Sequence, residues 1–210
     1  MAELSPLLEL LSARTRGEVR GICSVCSAHP AVLKAAFEHA VETGGPVLVE
    51  STSNQVNQEG GYTGVKPAEF AAFVARLAED AELPSGRVIL GGDHLGPHPW
   101  RDQGATIAMA RAGAMVRDYV RAGYAKIHLD ASMACADDPL GPLAETVAAA
   151  RTADLAAAAE SAAAERPAGR PAPLYVVGTE VPPPGGQASA QEGPVPTRAS
   201  DAERTLALTR

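Results

Sequence analysis

The stretch Val88-Ile89-Leu90-Gly91-Gly92-Asp93-His94-Leu95-Gly96-Pro97-His98-Pro99 decides how this chain reads. Three apolar β-formers give way to two glycines and then to a carboxylate beside an imidazole. That is the pattern of a buried strand ending in a chemical site. The glycines allow close backbone approach where the strand leaves the core. His94 and His98 have the four-residue spacing of a helical metal pair, but Pro97 and Pro99 forbid a regular helix across them.

The same arrangement recurs on both sides. Upstream, Gly21 to Cys26 reads as a short strand ending at Ser27, and Pro30 opens a helix to Glu42 with Val32, Leu33, Ala36, Phe37 and Ala40 on one face. Pro46 to Ser51 is a second strand with Glu50 and Ser51 at its end. The loop after it carries Asn54, Gln55, Asn57 and Gln58, then Gly60-Gly61-Tyr62-Thr63-Gly64, a density of amides and glycines suited to a polyhydroxylated ligand. These glycines match neither a phosphate-cradling Walker loop nor a dinucleotide fingerprint, so no nucleotide cofactor is expected. A helix follows from Pro67, and another covers about 104 to 122.

Downstream, Ala125 to Asp130 is a fourth strand, with His128 and Asp130 on one face because they are two apart. Ser132 and Cys135 stand at its exit. An alanine-rich segment, 142 to 166, reads as a long helix. Leu174 to Val181 is a fifth strand ending at Glu180, and 182–199 reads as a long mobile loop. Ser200-Asp201-Ala202-Glu203 has the form of a capping box, so a last helix is expected to start there.

Strand-then-helix units in series imply a parallel sheet with right-handed crossovers and chemistry beyond the carboxyl ends of the strands. Ser27, Glu50, Asp93, His94, Asp130 and Glu180 would share that rim. Five units are three short of a (β/α)8 TIM barrel. The expectation is therefore an α/β chain holding the first five units of one barrel domain, 1–210, within a longer protein. The competing architecture is a complete five-stranded, doubly wound domain.

Composition sets limits. The chain has 210 residues, 46% hydrophobic and 20% charged, with a formal net charge of −7. An acidic balance argues against a nucleic-acid partner held through phosphates, and no apolar run is long enough to span a bilayer. Cys23, Cys26 and Cys135 fit a reducing cytoplasm better than a disulfide framework. Cys23 and Cys26 lack a second pair for a zinc site and face opposite sides of a strand, so they read as two small buried residues. Leu4, Leu7, Leu8 and Leu11 mark an amphipathic opening helix and not a secretory signal.

C-S-A-H-P at Cys26 to Pro30, E-S-T-S-N-Q-V-N-Q-x-G-G-Y-T-G at Glu50 to Gly64 and G-G-D-H-L-G-P at Gly91 to Pro97 are joined by H-L-D-A-S at His128 to Ser132 and G-T-E-V-P at Gly178 to Pro182. Together these resemble the GatZ/KbaZ-type accessory subunit of class II D-tagatose-1,6-bisphosphate aldolase, over nearly all of this chain and about the first half of the family's length. The resemblance implies a TIM-barrel relative of the zinc-dependent class II aldolases in galactitol, tagatose and amino-sugar catabolism. It implies a non-catalytic subunit that stabilises and activates a catalytic aldolase partner, with a sugar phosphate as ligand. The alternative is a metal-dependent epimerase of a ketose phosphate or sugar acid, working by retro-aldol cleavage and re-addition.

Aldol cleavage needs a Lewis acid at the substrate carbonyl and a carboxylic group near the hydroxyl that loses its proton. Asp93 and His94 resemble the Asp-His pair that supplies the acid/base and a zinc ligand in catalytic class II aldolases. On that basis Asp93, Asp130 and Glu180 are the candidate catalytic groups. Ser27, Glu50, Ser51, Asn54, Gln55 and Ser132 are candidates for substrate binding. His94, with His128 and Glu180, is the candidate set for zinc or another divalent metal. Later strands usually supply further histidines in such barrels, so this piece is expected to be inactive alone.

Overall fold

The computed structural model describes residues 6–167, 169–178 and 198–209. Five parallel strands form one sheet: β1 Ser24–Cys26, β2 Val47–Thr52, β3 Val88–Leu95, β4 Lys126–Leu129 and β5 Leu174–Val176. Their order in space is β1-β2-β3-β4-β5. A doubly wound sheet reverses its order partway across; among the described residues this one does not, so the doubly wound order is not what forms.

The helices are α1 Pro6–Thr15, α2 Pro30–Thr43, α3 Pro67–Asp80, α4 Ala105–Arg121, α5 Glu145–Ala164 and α6 Ala199–Leu208. Their termini follow from local chemistry. Pro30 opens α2, and the His29 ring at its N-cap accepts from the Ala31 N–H. Gly44 closes that helix in the left-handed conformation, φ 74°. In α3, Pro67 takes the first turn and Glu69 accepts the Lys66 N–H at 2.9 Å.

Alternation divides the strands between two faces. Val47 and Val49 of β2 and Ile127 and Leu129 of β4 join Leu33, Phe37, Phe70, Val74, Met115, Val116 and Leu155 in one buried core, so α2 to α5 cover that face. Leu48, Glu50, Lys126 and His128 belong to the other face. There α1 lines a cavity of about 380 Å³ with Ile22, Leu48, Lys126 and Leu174.

Several boundaries differ from the sequence reading. β1 is three residues long, and Cys23 and Cys26 are exposed instead of buried, because β1 lies at the edge of the sheet. β5 ends at Val176. Helix α6 begins at Ala199, ahead of the expected cap, with Asp201 accepting the Arg198 N–H. Val32, placed on the inner face by periodicity, is exposed, as is the apolar Ile107 of α4. Glu180 lies outside the described residues, as does the loop expected over 182–199 except for Arg198 and Ala199. No helix among the described residues is long and apolar enough to cross a membrane.

Candidate metal-assisted site

The site is built at a bulge. Between Gly92 and Leu95 the β3 chain takes three steps while β4 takes two, from Ile127 to Leu129. The extra residue belongs to Asp93-His94, and His94 adopts φ +48°. A left-handed backbone at a non-glycine residue costs roughly 1–2 kcal/mol. Neighbours on a regular strand face opposite ways; the bulge turns both side chains to one side. Gly96 lets the chain pass β4 closely. A Cβ there would stand 1.6 Å from the Asp130 carbonyl oxygen.

Four side chains meet as a result. His128 Nδ1 lies 2.9 Å from Asp93 Oδ1, and His94 Nδ1 lies 2.9 Å from Asp130 Oδ2. The two imidazole centroids are 4.5 Å apart, and His94 Nε2 is 4.0 Å from Asp93 Oδ2. The other Asp130 oxygen accepts from the Ser132 N–H at 2.9 Å and from its hydroxyl at 2.6 Å. The hydrogen bond with His128 holds the Asp93 carboxyl below the usual carboxylate range against the opposing effect of burial. Burial pushes the Asp130 carboxyl up, but the bonds from Ser132 and His94 outweigh it and leave it below that range. Both are therefore ionised near neutral pH.

One donor atom each from Asp93, His94 and His128 lies within 4.8 Å of the others. Donors on one tetrahedral zinc ion sit about 2.0–2.2 Å from it, hence about 3.3–3.6 Å apart, so a closure of about 1 Å would seat an ion. With its proton on Nδ1, His128 donates to Asp93. Where it instead accepts from the His94 N–H, 3.3 Å away, two acceptors face each other across 2.9 Å, a contact that a shared cation relieves. Asp130 supplies what a metal-binding histidine needs behind it: by accepting from Nδ1 it places the lone pair of His94 on Nε2. Two histidines and a carboxylate fit a divalent transition ion.

A row of side chains underlies this cluster. Gly91 pairs in register with Glu50 on one side and Lys126 on the other. Having no side chain, it lets the Glu50 carboxylate and the Lys126 ammonium meet across β3 as an ion pair. Ser24 also donates to Glu50. A Cβ on Gly91 would lie 2.8 Å from Glu50 Oε1.

The structure thus brings Asp93, His94, His128, Asp130 and Ser132 together. Glu50 sits one row beneath them, engaged with Lys126 and Ser24. Ser51 faces the helices, fully buried, with its hydroxyl 3.1 Å from the Tyr119 hydroxyl. Ser27 accepts from the His29 N–H. Asn54 is exposed. Gln55 accepts the Thr52 N–H and approaches the Cys26 sulfur at 3.8 Å. That sulfur is 3.8 Å from Asp93 Oδ2, and partial desolvation of the sulfur within an otherwise exposed residue, followed by the Asp93 charge, pushes its pKa up to about 11. His98 lies in a 3₁₀ turn, His98–Trp100, and burial followed by the Arg101 charge lowers its pKa. Sequence reasoning missed Lys126, although its two-residue spacing from His128 gives them a common face.

Comparison with known proteins follows the same lines. The family model described as D-tagatose-1,6-bisphosphate aldolase subunit GatZ/KbaZ-like matches residues 7–210. The D-tagatose-1,6-bisphosphate aldolase subunit GatZ of Salmonella newport is 52% identical over 198 residues, 94% of this chain and 46% of that protein. The D-tagatose 6-phosphate 4-epimerase of Agrobacterium fabrum is 50% identical over 208 residues, 99% of this chain and 48% of that protein. A crystal structure of a probable tagatose 6 phosphate kinase from Sinorhizobium meliloti 1021 superposes with a TM-score of 0.78 at 44% identity, covering 91% of this chain and 44% of that one. The chain spans about half the length of these relatives, and it belongs to the D-tagatose-1,6-bisphosphate aldolase subunit GatZ/KbaZ-like family.

Proposed function

We propose that this chain forms the first five β/α units of a (β/α)8 barrel in a longer protein, with a metal-assisted site for aldol-type chemistry on a ketose phosphate, used for C4 epimerisation of D-tagatose 6-phosphate. One observation carries the reading: Asp93, His94 and His128 converge within 4.8 Å, with His94 fixed from behind by Asp130. The barrel is supported by the consecutive strand order and by α2 to α5 lying against one face.

His94, His128 and Asp93 would hold the divalent ion. Such an ion supplies a Lewis acid for the substrate carbonyl and adjacent hydroxyl oxygens. Asp93 is the ionised carboxylate beside the histidines; with Oδ1, which faces His128, among the atoms that would hold the ion, Oδ2 is the oxygen left to take the C4 hydroxyl proton. The C3–C4 bond then breaks, and its electron pair passes to the C2 carbonyl. Glyceraldehyde 3-phosphate and the enediolate of dihydroxyacetone result. Re-addition to the opposite face of the aldehyde, with return of the proton from Asp93, gives fructose 6-phosphate.

A kinase reading has less support. The glycine loop that would have to cradle a phosphate spends its N–H groups internally: Glu59 and Gly61 donate to Asn57 Oδ1, Gly60 to Asn57 O and Tyr62 to Asn54 O. The second reading is a non-catalytic subunit that stabilises a catalytic tagatose-bisphosphate aldolase, favoured by the matching family and by the name of the Salmonella relative.

The full-length protein, assayed alone on D-tagatose 6-phosphate, separates the two. Turnover abolished by a chelator and by Asp93→Asn supports the epimerase. Silence alone, with raised activity and stability of a co-expressed aldolase, supports the subunit.

A further inference from the structure

The left-handed turn at His94 needs something to hold it, and the loop after β2 supplies a group placed to do so. Ser53, 1% exposed, donates its hydroxyl to the His94 carbonyl oxygen at 2.9 Å. That carbonyl belongs to the bulged residue, whose regular ladder pairing is lost. Ser53 is itself fixed. Its own carbonyl accepts from Asn57 Nδ2 at 2.9 Å, and Asn57 Oδ1 gathers the N–H groups of Glu59 and Gly61. Behind the loop, the buried Tyr119 hydroxyl donates to the Val56 carbonyl at 2.9 Å.

We propose that Ser53 is a positioning residue for the metal site: its hydroxyl pins the His94 backbone in the bulged conformation that aims the imidazole at Asp93 and His128. This rests on the metal reading of the preceding section. Ser53 acts through the His94 backbone. Without the hydroxyl, the His94 carbonyl loses that bond, and the bulge can relax toward regular pairing, which would turn the ring toward the helices. Removing groups that orient a metal ligand typically weakens metal affinity about 10–100-fold.

The test uses the full-length protein with Zn²⁺ as the probe. Affinity is measured by competition with a chromophoric chelator, and thermal unfolding of the metal-free form is followed in parallel. Ser53→Ala is expected to bind Zn²⁺ at least about tenfold more weakly, and Ser53→Thr, which keeps the hydroxyl, to restore binding. A merely structural role would lower the melting temperature and leave the affinity of the folded protein unchanged. Should the alanine variant fold poorly, Ser53→Thr and Ser53→Val decide, being alike in shape and different in the hydroxyl. Weak binding by valine alone supports the inference, and equal affinities overturn it. Wild-type binding with unaltered Ser53→Ala binding overturns the inference alone. A wild-type protein that binds no Zn²⁺, or whose binding survives His94→Ala, overturns the metal reading and this inference with it.

Discussion

Asp130 lies beside the metal-competent cluster, with both carboxylate oxygens occupied, one by His94 and the other by Ser132. In the proposed site it orients His94. Asp130→Asn keeps the shape but removes the charge that favours a proton on Nδ1, so divalent-metal affinity should fall about 10–100-fold with little change in fold; equilibrium dialysis against Zn²⁺ measures it. Gly96→Ala acts by a different route. Its new methyl group would sit 1.6 Å from a backbone oxygen that cannot swing aside. The β3 exit must then part from β4, and thermal or denaturant unfolding should show a loss of about 2–4 kcal/mol. At this scale the sequence displayed the chemistry and hid the geometry. Asp93-His94 stands out as a carboxylate beside an imidazole at a strand end, but alternation sends adjacent residues to opposite faces. Only the bulge explains why both reach the same place. Ser51 shows the rule working unbroken: it follows Glu50 and therefore faces the helices, where Tyr119 meets its hydroxyl.

Among the elements, the β4–α5 connection depends on one ion pair. Arg151 of α5 reaches Asp138 with both terminal nitrogens, at 2.7 and 2.8 Å, and Asp138 also accepts the Cys135 N–H. Both side chains are nearly buried, 12% and 10% exposed. Asp138→Asn would leave a guanidinium without its counter-charge, at a cost of about 3 kcal/mol in unfolding free energy. The hydrogen bond from Arg151 lowers the Asp138 pKa from 3.8. A depressed carboxylate pKa contributes stability that is complete above the unfolded value and is lost as pH falls through the folded one. Stability should therefore decline on acidification below about pH 4, and the Asn variant should show less of that decline in urea titrations at pH 3 and pH 6. Elements were legible here as types and less so at their limits. Alanine richness announced α5, and Pro30 and Pro67 fixed the starts of α2 and α3. Edge strands β1 and β5 came out shorter than the apolar runs suggested, since each has a neighbour on one side alone among the described residues. Val32 and Ile107 are apolar, yet they lie on outer helix faces that no single-helix pattern distinguishes from the core-facing stripe.

For the molecule as a whole, repetition carried the reading. No single strand end identifies a site, but consecutive β/α units order the sheet β1 to β5 and bring the polar ends of β3 and β4 together. The spatial order could not be read from the chain itself, because a doubly wound sheet uses the same units. The chain belongs to the GatZ/KbaZ-like family and spans about half the length of the relatives it matches. The proposed site breaks and remakes a carbon–carbon bond. The direct measurement is NMR of D-tagatose 6-phosphate incubated in D₂O with the metal-loaded full-length protein. A retro-aldol route predicts D-fructose 6-phosphate that retains protium at C4, because that hydrogen never leaves its carbon. Deuterium at C4, or no fructose 6-phosphate at all, would contradict it.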